Sequence, residues 1–449
     1  MTLQNIREHN AFKWLYPGMH VKRWLLLLLF GVCLMGLGIS YILREAYLTY
    51  TLPGAFYYLT LQFVPRWARG ILFMSLSLST VAIATWKLNQ SLLSSLVRPR
   101  SERSVAETIY NKRILGRGPR IVAIGGGTGL SNLLRGLRGH TSNLTAIVTV
   151  ADDGGSTGRL RQEFGVIAPG DLRQCISALA EAEPLMSKLF QYRFKEGTGL
   201  DGHSFGNLFL VAMSDVAGNF EQAIHETSQI LNVRGTILPS TLEDVNISAR
   251  THEDEMVHGE HNITEHGAAI KDLFLNPPWV QAHPDAVRAI LDADLIVIGP
   301  GSLYTSVLPN LLVEGIRKAL FATTATKVFV CNVATQHGET DGFSAQDHLE
   351  ALERHTGRGI VHALVANNNI GPELPEAWHS HPVSITRNGH AKASESVRII
   401  EADVVAEENR YRHDPEKLAA TVLRLYDERD AIITHAARQP SDAPVLAVR

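Results

Sequence analysis

The sequence predicts an α/β domain with a mainly parallel sheet, helices on both of its faces and a β-hairpin insertion, preceded by two transmembrane helices. Short β-branched runs alternate with amphipathic stretches from Arg120 onward, an order typical of a parallel sheet covered by helices. Each of these apolar runs ends in Gly, Asp or Asn. Two long uncharged segments come before this pattern and predict the membrane part.

Composition and charge divide the chain into two unlike parts. Its 449 residues exceed the usual size of one compact domain, so a large domain with an appendage, or two domains, is expected. Residues 1–120 contain 15 Lys and Arg against 4 Asp and Glu, whereas the remainder contains 27 against 41. The acidic body argues against nucleic acid as a partner, because phosphate backbones bind clustered basic surfaces. The 45% hydrophobic content excludes a disordered chain.

Residues 1–90 are predicted to form a membrane anchor. Trp24 to Leu43 is a run of 20 residues without a charge, the length of a helix that crosses a bilayer. Gly70 to Trp86 adds 17 residues, the lower limit for a span. A signal peptide is the alternative for the first run, but no small-residue cleavage site follows it. Lys and Arg flank the pair on both outer sides, so we expect a multi-pass protein of the cell membrane with its main domain in the cytoplasm.

The rest of the chain is divided into a basic linker over residues 91–118, the α/β domain over 119–430 and a disordered tail over 431–449. Asp171 to Asn232 is predicted to be mainly helical. The predicted strands of the sheet are Arg120–Ile124, Thr145–Val150, Leu295–Ile298, Lys327–Cys331 and Gly359–Val365.

Two further elements are predicted outside these strands. Val245 to Thr251 and Met256 to Ile263 have the pattern of a hairpin. Pro415 to Tyr426 has the pattern of a last helix. In an open α/β sheet, ligands bind beyond the carboxyl ends of the strands. The loops that follow the strands are therefore the candidate functional residues.

The first strand runs directly into a glycine turn and a helix. The turn consists of Gly125, Gly126, Gly127, Thr128, Gly129 and Leu130. A glycine turn at a helix N-terminus presents backbone N–H groups to an anion without obstructing side chains. This is a candidate phosphate site, although strand-to-helix glycine turns also occur for packing alone. The dinucleotide fingerprint is absent, since Leu130 stands where its third glycine belongs, and no Gly-Lys-Ser/Thr of a P-loop follows.

The second strand ends in two adjacent carboxylates, Asp152 and Asp153, followed by Gly154. Such a pair can bind a ribose hydroxyl or a hydrated Mg²⁺, or accept a proton from an attacking hydroxyl. We therefore take Asp153 as the candidate Mg²⁺ ligand and as a candidate catalytic residue. The alternative is a turn in which one Asp caps the next helix.

Two polar motifs follow in the helical segment. Asp171 is either the N-cap of the helix that it begins or a ligand contact. His203 and Asn207 are four residues apart at the start of an apolar helix, which places them on one face. His203 is a candidate general acid or base, or a structural hydrogen-bonding residue.

The second half of the sheet repeats the first layout. Gly299, Gly301 and Ser302 follow an apolar strand and open a helix, so a second phosphate-binding turn is predicted. The loop after the strand Lys327–Cys331 is a candidate for binding a sugar or base through hydrogen bonds. The alternative is an ordinary surface loop. The polar residues that would do so are Asn332, Thr335, Gln336, Glu339 and Thr340.

The histidines of the hairpin region do not predict a metal site. His252, His258, His261 and His266 lie near several acids, but alternating faces of a hairpin would keep their side chains apart. Three widely separated cysteines likewise predict neither a disulfide framework nor a zinc site.

Several of these motifs together resemble the YvcK/CofD-like family, over roughly Pro119 to Tyr426. The matching segments are GGGTGLSNLLRGLR, VTVADDGGSTGRLR, PGDLRQCISALA, GHSFGNLFL, GPGSLYTSVLPNLL and CNVATQHGETDGFSAQDHL. The resemblance implies a Rossmann-like core. The glycine turns with Asp152 and Asp153 match both branches of the family. The motifs at His203 and at Thr335 to Gly342 match the gluconeogenesis-factor branch alone.

The resemblance also implies two alternative functions. Members of the gluconeogenesis-factor branch bind UDP-activated amino sugars and influence gluconeogenic growth, cell shape and wall synthesis. Members of the other branch are 2-phospho-L-lactate transferases, which use a nucleotide-activated substrate and Mg²⁺. We therefore expect a membrane-tethered regulator that binds a nucleotide sugar, with a Mg²⁺-dependent transferase as the alternative. A homo-oligomer is also expected, whereas an NAD-dependent oxidoreductase is disfavoured by the broken fingerprint.

Overall fold

The computed structural model describes residues 21–49, 54, 57–58, 61, 63–96, 115–182, 184–197, 199–371, 375, 379–386 and 397–437. The chain separates into two compact units, Met1–Ile114 and Leu115–Arg449. The described part of the first unit contains helices α1 (Val21–Thr49) and α2 (Arg66–Leu96).

Both predicted membrane segments are helical, since Trp24 to Leu43 lies within α1 and Gly70 to Trp86 within α2. Within the described residues, however, no helix combines the length and the apolar character that a bilayer crossing requires. The prediction of two transmembrane helices is therefore not supported. Helix α2 also extends over residues 91–96, which the sequence assigned to the linker.

The second unit is built around a seven-stranded parallel sheet. Its first half runs from residue 121 to residue 239 and supplies three strands. The elements are β1 (Ile121–Gly125), α3 (Gly127–Leu137), β2 (Leu144–Val148), α4 (Gly155–Phe164), α5 (Gly170–Leu179), α6 (Pro184–Gln191), α7 (Phe205–Ala217), α8 (Phe220–Ile230) and β3 (Thr236–Pro239). The segment from Asp171 to Asn232 is mainly helical, as predicted.

An insertion separates the two halves of the sheet. It contains β4 (Asn246–Thr251), β5 (Met256–His258), α9 (Glu260–His266) and β6 (Ile270–Asn276). The strands form a separate antiparallel sheet in the order β5-β4-β6. The hairpin was predicted correctly up to His258, but the remainder of its second strand is helix α9, and β6 was missed. Gly259 has a φ of 90°, which interrupts the strand and allows the helix to begin.

The second half of the unit continues to residue 437. Its elements are α10 (Pro284–Leu291), β7 (Leu295–Ile298), a π-helical turn (Leu303–Val307), α11 (Leu308–Leu312), α12 (Glu314–Ala322), β8 (Thr326–Val330), α13 (Ala345–Thr356), β9 (Ala363–Asn367), β10 (Arg398–Ala402), α14 (Pro415–Asp427) and α15 (Arg429–Ala437). Residues 431–437 are thus helical, where the sequence predicted a disordered tail. Residues 438–449 lie outside the described part.

The strand order is β10-β9-β8-β7-β1-β2-β3, with every pair parallel. The chain leaves β1 on one side through β2 and β3 and returns on the other side through β7. This reversal beside β1 is the topological switch point of a Rossmann-like sheet, where the loops after β1 and β7 separate and leave a crevice. Strands β1 and β7 are buried at every position, as expected for central parallel strands covered on both faces.

The predicted α/β class and Rossmann-like sheet are confirmed, and the five predicted strands correspond to β1, β2, β7, β8 and β9. Strand β9 begins four residues later than predicted, because residues 358–360 form a turn that includes Gly359 at φ 80°. Strands β3 and β10 were missed. They are the two edges of the sheet, where β3 is short and ends in Pro239 and β10 contains charged residues, so neither has the apolar run of a central strand.

The packing of α3 against α14 provides a test of this arrangement. A Cβ atom at Gly136 would clash with the carbonyl oxygen of Pro415 and lie 2.9 Å from the Cβ of Ala419. We predict that Gly136→Ala lowers the free energy of unfolding by about 1–3 kcal/mol, because the two helices must move apart. The measurement is urea unfolding followed by circular dichroism.

Gly139→Ala is the matched control, since its Cβ would meet only the carbonyl oxygen of Gly136, at 3.8 Å. Equal urea midpoints for the two variants would contradict the close packing of α3 and α14.

Candidate nucleotide site

The two glycine turns lie against each other at the switch point. A Cβ atom at Gly129 would lie 2.5 Å from the carbonyl oxygen of Pro300, and one at Gly301 would lie 3.2 Å from the carbonyl oxygen of Gly126. Distances this short between a Cβ and backbone cannot be relieved by a side-chain rotation. Glycine is therefore required at Gly129 by the approach of the two loops, independently of any ligand.

The loops form the wall of a cavity of about 460 Å³, a volume within the range of small-molecule sites. The predicted site residues that line it are Gly126, Gly127, Thr128, Gly129, Asp152, Asp171, Gly301, Ser302, Asn332, Gln336 and Glu339. The other predicted residues are not among its lining residues: Gly125, Leu130, Asp153, Gly154, His203, Asn207, Gly299, Thr335 and Thr340.

The turn after β1 provides the open backbone donors of the cavity. Helix α3 begins at Gly127 without a side-chain cap, and the N–H groups of the first turn of a helix have no acceptor within the helix. The N–H of Gly127 donates to the carboxyl of Asp171. A Cβ atom at Gly126 would overlap that carboxyl group. The turn therefore combines a positive helix end with an acid that lies directly beside it.

The turn after β7 differs, because its donors are largely engaged. The N–H of Gly301 donates to Oδ1 of Asn332 at 3.2 Å, and the N–H of Thr305 donates to Oγ of Ser302 at 3.1 Å. The Ser302 hydroxyl donates in turn to the carboxyl of Glu339. The second turn thus offers fewer open amides than the prediction of a second phosphate-binding turn assumed.

Four carboxyl groups line the cavity, and their pKa values are raised. Burial, followed by the nearby charge of Asp152, raises the pKa of Asp171 to about 7. Burial also raises the pKa of Glu339 to about 7, against the opposing hydrogen bond from Ser302. The pKa of Asp152 is raised by burial, although the N–H of Gly154 donates to it at 2.9 Å.

The fourth carboxyl group, that of Glu260, comes from the insertion. Burial, then the charges of Asp152 and Asp171, raise its pKa well above the ordinary value. Its Oε2 atom is buried without a hydrogen-bond partner among the described residues. The described residues that line the cavity include a single Lys or Arg, which is Arg412. The acids therefore outnumber the cations. An anionic ligand would therefore need protonated carboxyl groups or an accompanying cation in this cavity.

Asp153 does not occupy the position expected of a metal ligand. Its Oδ1 atom accepts the N–H of His261 at 2.9 Å, and its Oδ2 atom lies against Gly259. It does not line the cavity. The adjacent acids of the sequence thus point to different places, Asp152 into the cavity and Asp153 toward the insertion.

His203 and Asn207 belong to a buried hydrogen-bond network outside the cavity. Asn207 Nδ2 donates to the Ser156 oxygen at 3.2 Å, and that hydroxyl lies 3.0 Å from His203 Nδ1. Arg173 Nε donates to Asn207 Oδ1 at 2.9 Å. Burial, then Arg159, lower the pKa of His203. The network joins α4, α5 and α7, which agrees with the structural alternative for His203.

The cavity also contains residues that the sequence analysis missed. They are Asn132, Gln174, Glu260, Thr264, Thr305, Ser306, Val333, Ala334, Tyr411, Arg412 and His413. Tyr411 to His413 precede α14 and follow no central strand, so the rule of strand ends did not select them. His413 Nε2 lies 3.1 Å from the carbonyl oxygen of Cys331, and burial lowers the pKa of this histidine to about 4. It is therefore neutral and donates through Nε2.

One group outside the cavity brings possible metal ligands together. Atoms of Glu221, His283 and Asp285 lie within 4.8 Å of one another. However, His283 Nδ1 accepts the N–H of Asp285 at 3.1 Å, so its proton is on Nε2, which faces Glu221 at 3.3 Å. A metal at Nε2 would require a proton on Nδ1, facing the N–H of Asp285. The group is better explained as an N-cap linked to α8.

Comparisons with known proteins agree with this fold. The family model of 2-phospho-L-lactate transferase CofD matches residues 121–405. A Nostoc sp. protein named "Putative gluconeogenesis factor" is 42% identical over 431 residues, covering 94% of this chain and 93% of its own. The gluconeogenesis factor of Bacillus subtilis is 44% identical over 319 residues, covering 70% of this chain and 100% of its own.

The chain belongs to the CofD family. A crystal structure of an upf0052 family member from Bacillus halodurans has a TM-score of 0.63 with it at 43% identity, covering 68% of this chain and 99% of the other.

The acids of this CofD-family cavity predict a pH effect on stability. The pKa of Asp171 is about 7 in the folded chain, against an ordinary value of 3.8. The folded state therefore holds this proton more tightly than the unfolded state, and stability is lost as the pH rises toward 7. We compare the free energy of unfolding of Asp171→Asn with that of the natural chain. We predict that this difference shifts in favour of the variant by about 2–3 kcal/mol as the pH rises from 5 to 8.

The measurement is urea unfolding at a series of pH values. The control is Asp215→Asn, at an exposed carboxyl group on α7. A difference between Asp171→Asn and the natural chain that does not change with pH would contradict the raised pKa.

Proposed function

We propose that this chain binds a nucleotide diphosphate sugar of the UDP-sugar class and acts as a regulator. The observation that carries the proposal is the position of the cavity. It lies at the switch point of the sheet, between the N-terminus of α3, whose N-cap residue Gly126 has no side chain to cap it, and the turn after β7, where Rossmann-like folds bind nucleotides. The link to gluconeogenic carbon supply, cell shape and wall synthesis rests on the family resemblance and on the names of the relatives.

The lining residues suggest where each part of such a ligand would bind. The diphosphate would lie at the first-turn amides of α3, with Arg412 as the cation beside it. The ring of Tyr411 offers a stacking surface for a base. Asn332 and Gln336 offer amides for sugar hydroxyls.

A divalent cation fits the charge of the cavity. Four carboxyl groups and a diphosphate in one cavity would repel each other, and Mg²⁺ prefers carboxylate and phosphate oxygens. Asp152 and Asp171 would hold it, through water, because the four carboxyl groups lack the mutual 4.8 Å spacing of a preformed cluster among the described residues. The cation would neutralise charge between the diphosphate and these acids. Asp153 would not contact it directly.

A transferase of the 2-phospho-L-lactate type is the second candidate. Asp171 and Glu339 have pKa values of about 7, which suits groups that exchange protons at neutral pH. The description of the matching family model also favours this activity. The two candidates share the nucleotide site and differ in whether the ligand is consumed.

Titration calorimetry of the full chain with UDP-glucose, UDP-N-acetylglucosamine, GDP and NAD, each with and without Mg²⁺, separates these candidates. We expect a UDP-sugar to bind with Mg²⁺ and to be recovered unchanged by chromatography. Consumption of a nucleotide-linked phospholactate with a deazaflavin acceptor would establish the transferase instead. Binding of NAD alone would refute both.

A glycine substitution tests the placement of the diphosphate. Gly127 and Gly165 both have a φ of 63°, so a side chain strains the backbone equally at the two positions. Only Gly127 lies at the cavity. We predict that Gly127→Val weakens UDP-sugar binding at least about tenfold by blocking the approach of the phosphates, whereas Gly165→Val leaves the dissociation constant within about twofold. Equal effects of the two variants would refute this placement.

A further inference from the structure

Asp153 connects the main sheet to the insertion. Its Oδ1 atom accepts the N–H of His261 at 2.9 Å, across 108 positions of sequence. A Cβ atom at Gly259 would overlap its Oδ2 atom. The carboxyl group therefore lies at the beginning of α9, in contact with backbone on both sides of Glu260.

Helix α9 has no cap of its own at this end. Its N-cap residue is Gly259, which offers no side chain. An oxygen that accepts a first-turn N–H stabilises a helix by about 1 kcal/mol, and a negative charge there adds to the effect. Asp153 supplies both from another part of the chain. Buried Ile263 and the hydrogen bond from Gly259 N to Ile247 O, at 2.8 Å, attach the helix to its own sheet.

The same helix forms one wall of the cavity. Glu260 and Thr264, one helical turn apart, both line it. The Oε2 atom of Glu260 is buried without a hydrogen-bond partner among the described residues, and it faces the charges of Asp152, Asp171 and Glu339. Repulsion and desolvation both oppose this position. The position of Glu260 therefore depends on the contacts that fix this end of α9, which are the Asp153 carboxyl on the N–H of His261 and the Gly259 N–H on the carbonyl oxygen of Ile247.

We propose that Asp153 is a positioning residue, whose carboxyl group caps α9 and so holds Glu260 and Thr264 in the wall of the cavity. The insertion is then part of the ligand site rather than a separate module. The effect on ligand binding rests on the proposed function, whereas the capping itself does not.

The test compares Asp153→Ala with Asp153→Asn. Asn keeps a side-chain oxygen that can accept the N–H of His261, whereas Ala keeps none. Hydrogen exchange over residues 259–266, measured on the full chain without ligand, should accelerate about fivefold or more in Asp153→Ala and less than about threefold in Asp153→Asn. The dissociation constant for UDP-N-acetylglucosamine should also increase more in Asp153→Ala than in Asp153→Asn. Asp215→Ala, at an exposed carboxyl group, is the control.

Each outcome decides the proposal. Unchanged exchange in Asp153→Ala would overturn it. Equal loss of binding in both variants, with unchanged exchange, would also overturn it, because Asp153 would then contact the ligand or its cation directly. If the natural chain binds no UDP-sugar, the proposed function fails, but faster exchange in Asp153→Ala alone would still support the cap.

Discussion

The contact between the turns after β1 and β7 is the constraint on which the site depends. Gly129 must approach the carbonyl oxygen of Pro300 closely, and this contact sets the separation of the two loops. The sheet order brings the loops together, because β1 pairs with β7 although paired residues such as Ile121 and Leu295 are 174 positions apart. A cavity at this point is therefore a consequence of topology, and its chemistry is determined by the side chains around it.

The buried carboxyl groups around this cavity reduce the stability of the folded chain. Burying Asp171, Glu339 and Glu260 in one cavity with few cations costs solvation free energy, which the chain reduces by raising their pKa values. Hydrogen bonds from Gly127 and Ser302 offset part of the cost. An arrangement that opposes stability in this way is typical of functional sites rather than of structural cores.

The sequence allowed the central part of the fold and of the site to be predicted, for identifiable reasons. Strands β1 and β7 are continuous apolar runs, β2 and β8 are mainly apolar, and all four end in polar loops, so their positions and the convergence of Asp152 and Glu339 could be expected. Helix α9 was taken for a strand, because the short apolar spacing of residues 256–263 fits both periods.

The remaining errors have the same kind of cause. Tyr411 to His413 reach the cavity through tertiary packing, which no local pattern records. The different directions of Asp152 and Asp153 depend on the insertion, whose docking is also a tertiary property. The amides of the second glycine turn were expected to be open, because the sequence does not reveal that Asn332 and Ser302 already bind them.

If the proposed function holds, the difference between the two glycine turns means that different residues determine the affinity for the diphosphate and the selectivity for the nucleotide. The amides of α3 would contact any diphosphate in the same way, since backbone donors do not distinguish one nucleotide from another. Discrimination would then come from other lining residues, such as Tyr411, which belongs to a segment far along the chain. Substitutions at Tyr411 would change which nucleotide is preferred and leave the contacts with its phosphates intact. The fold thus allows ligand preference to diverge among related chains without rebuilding the core of the site.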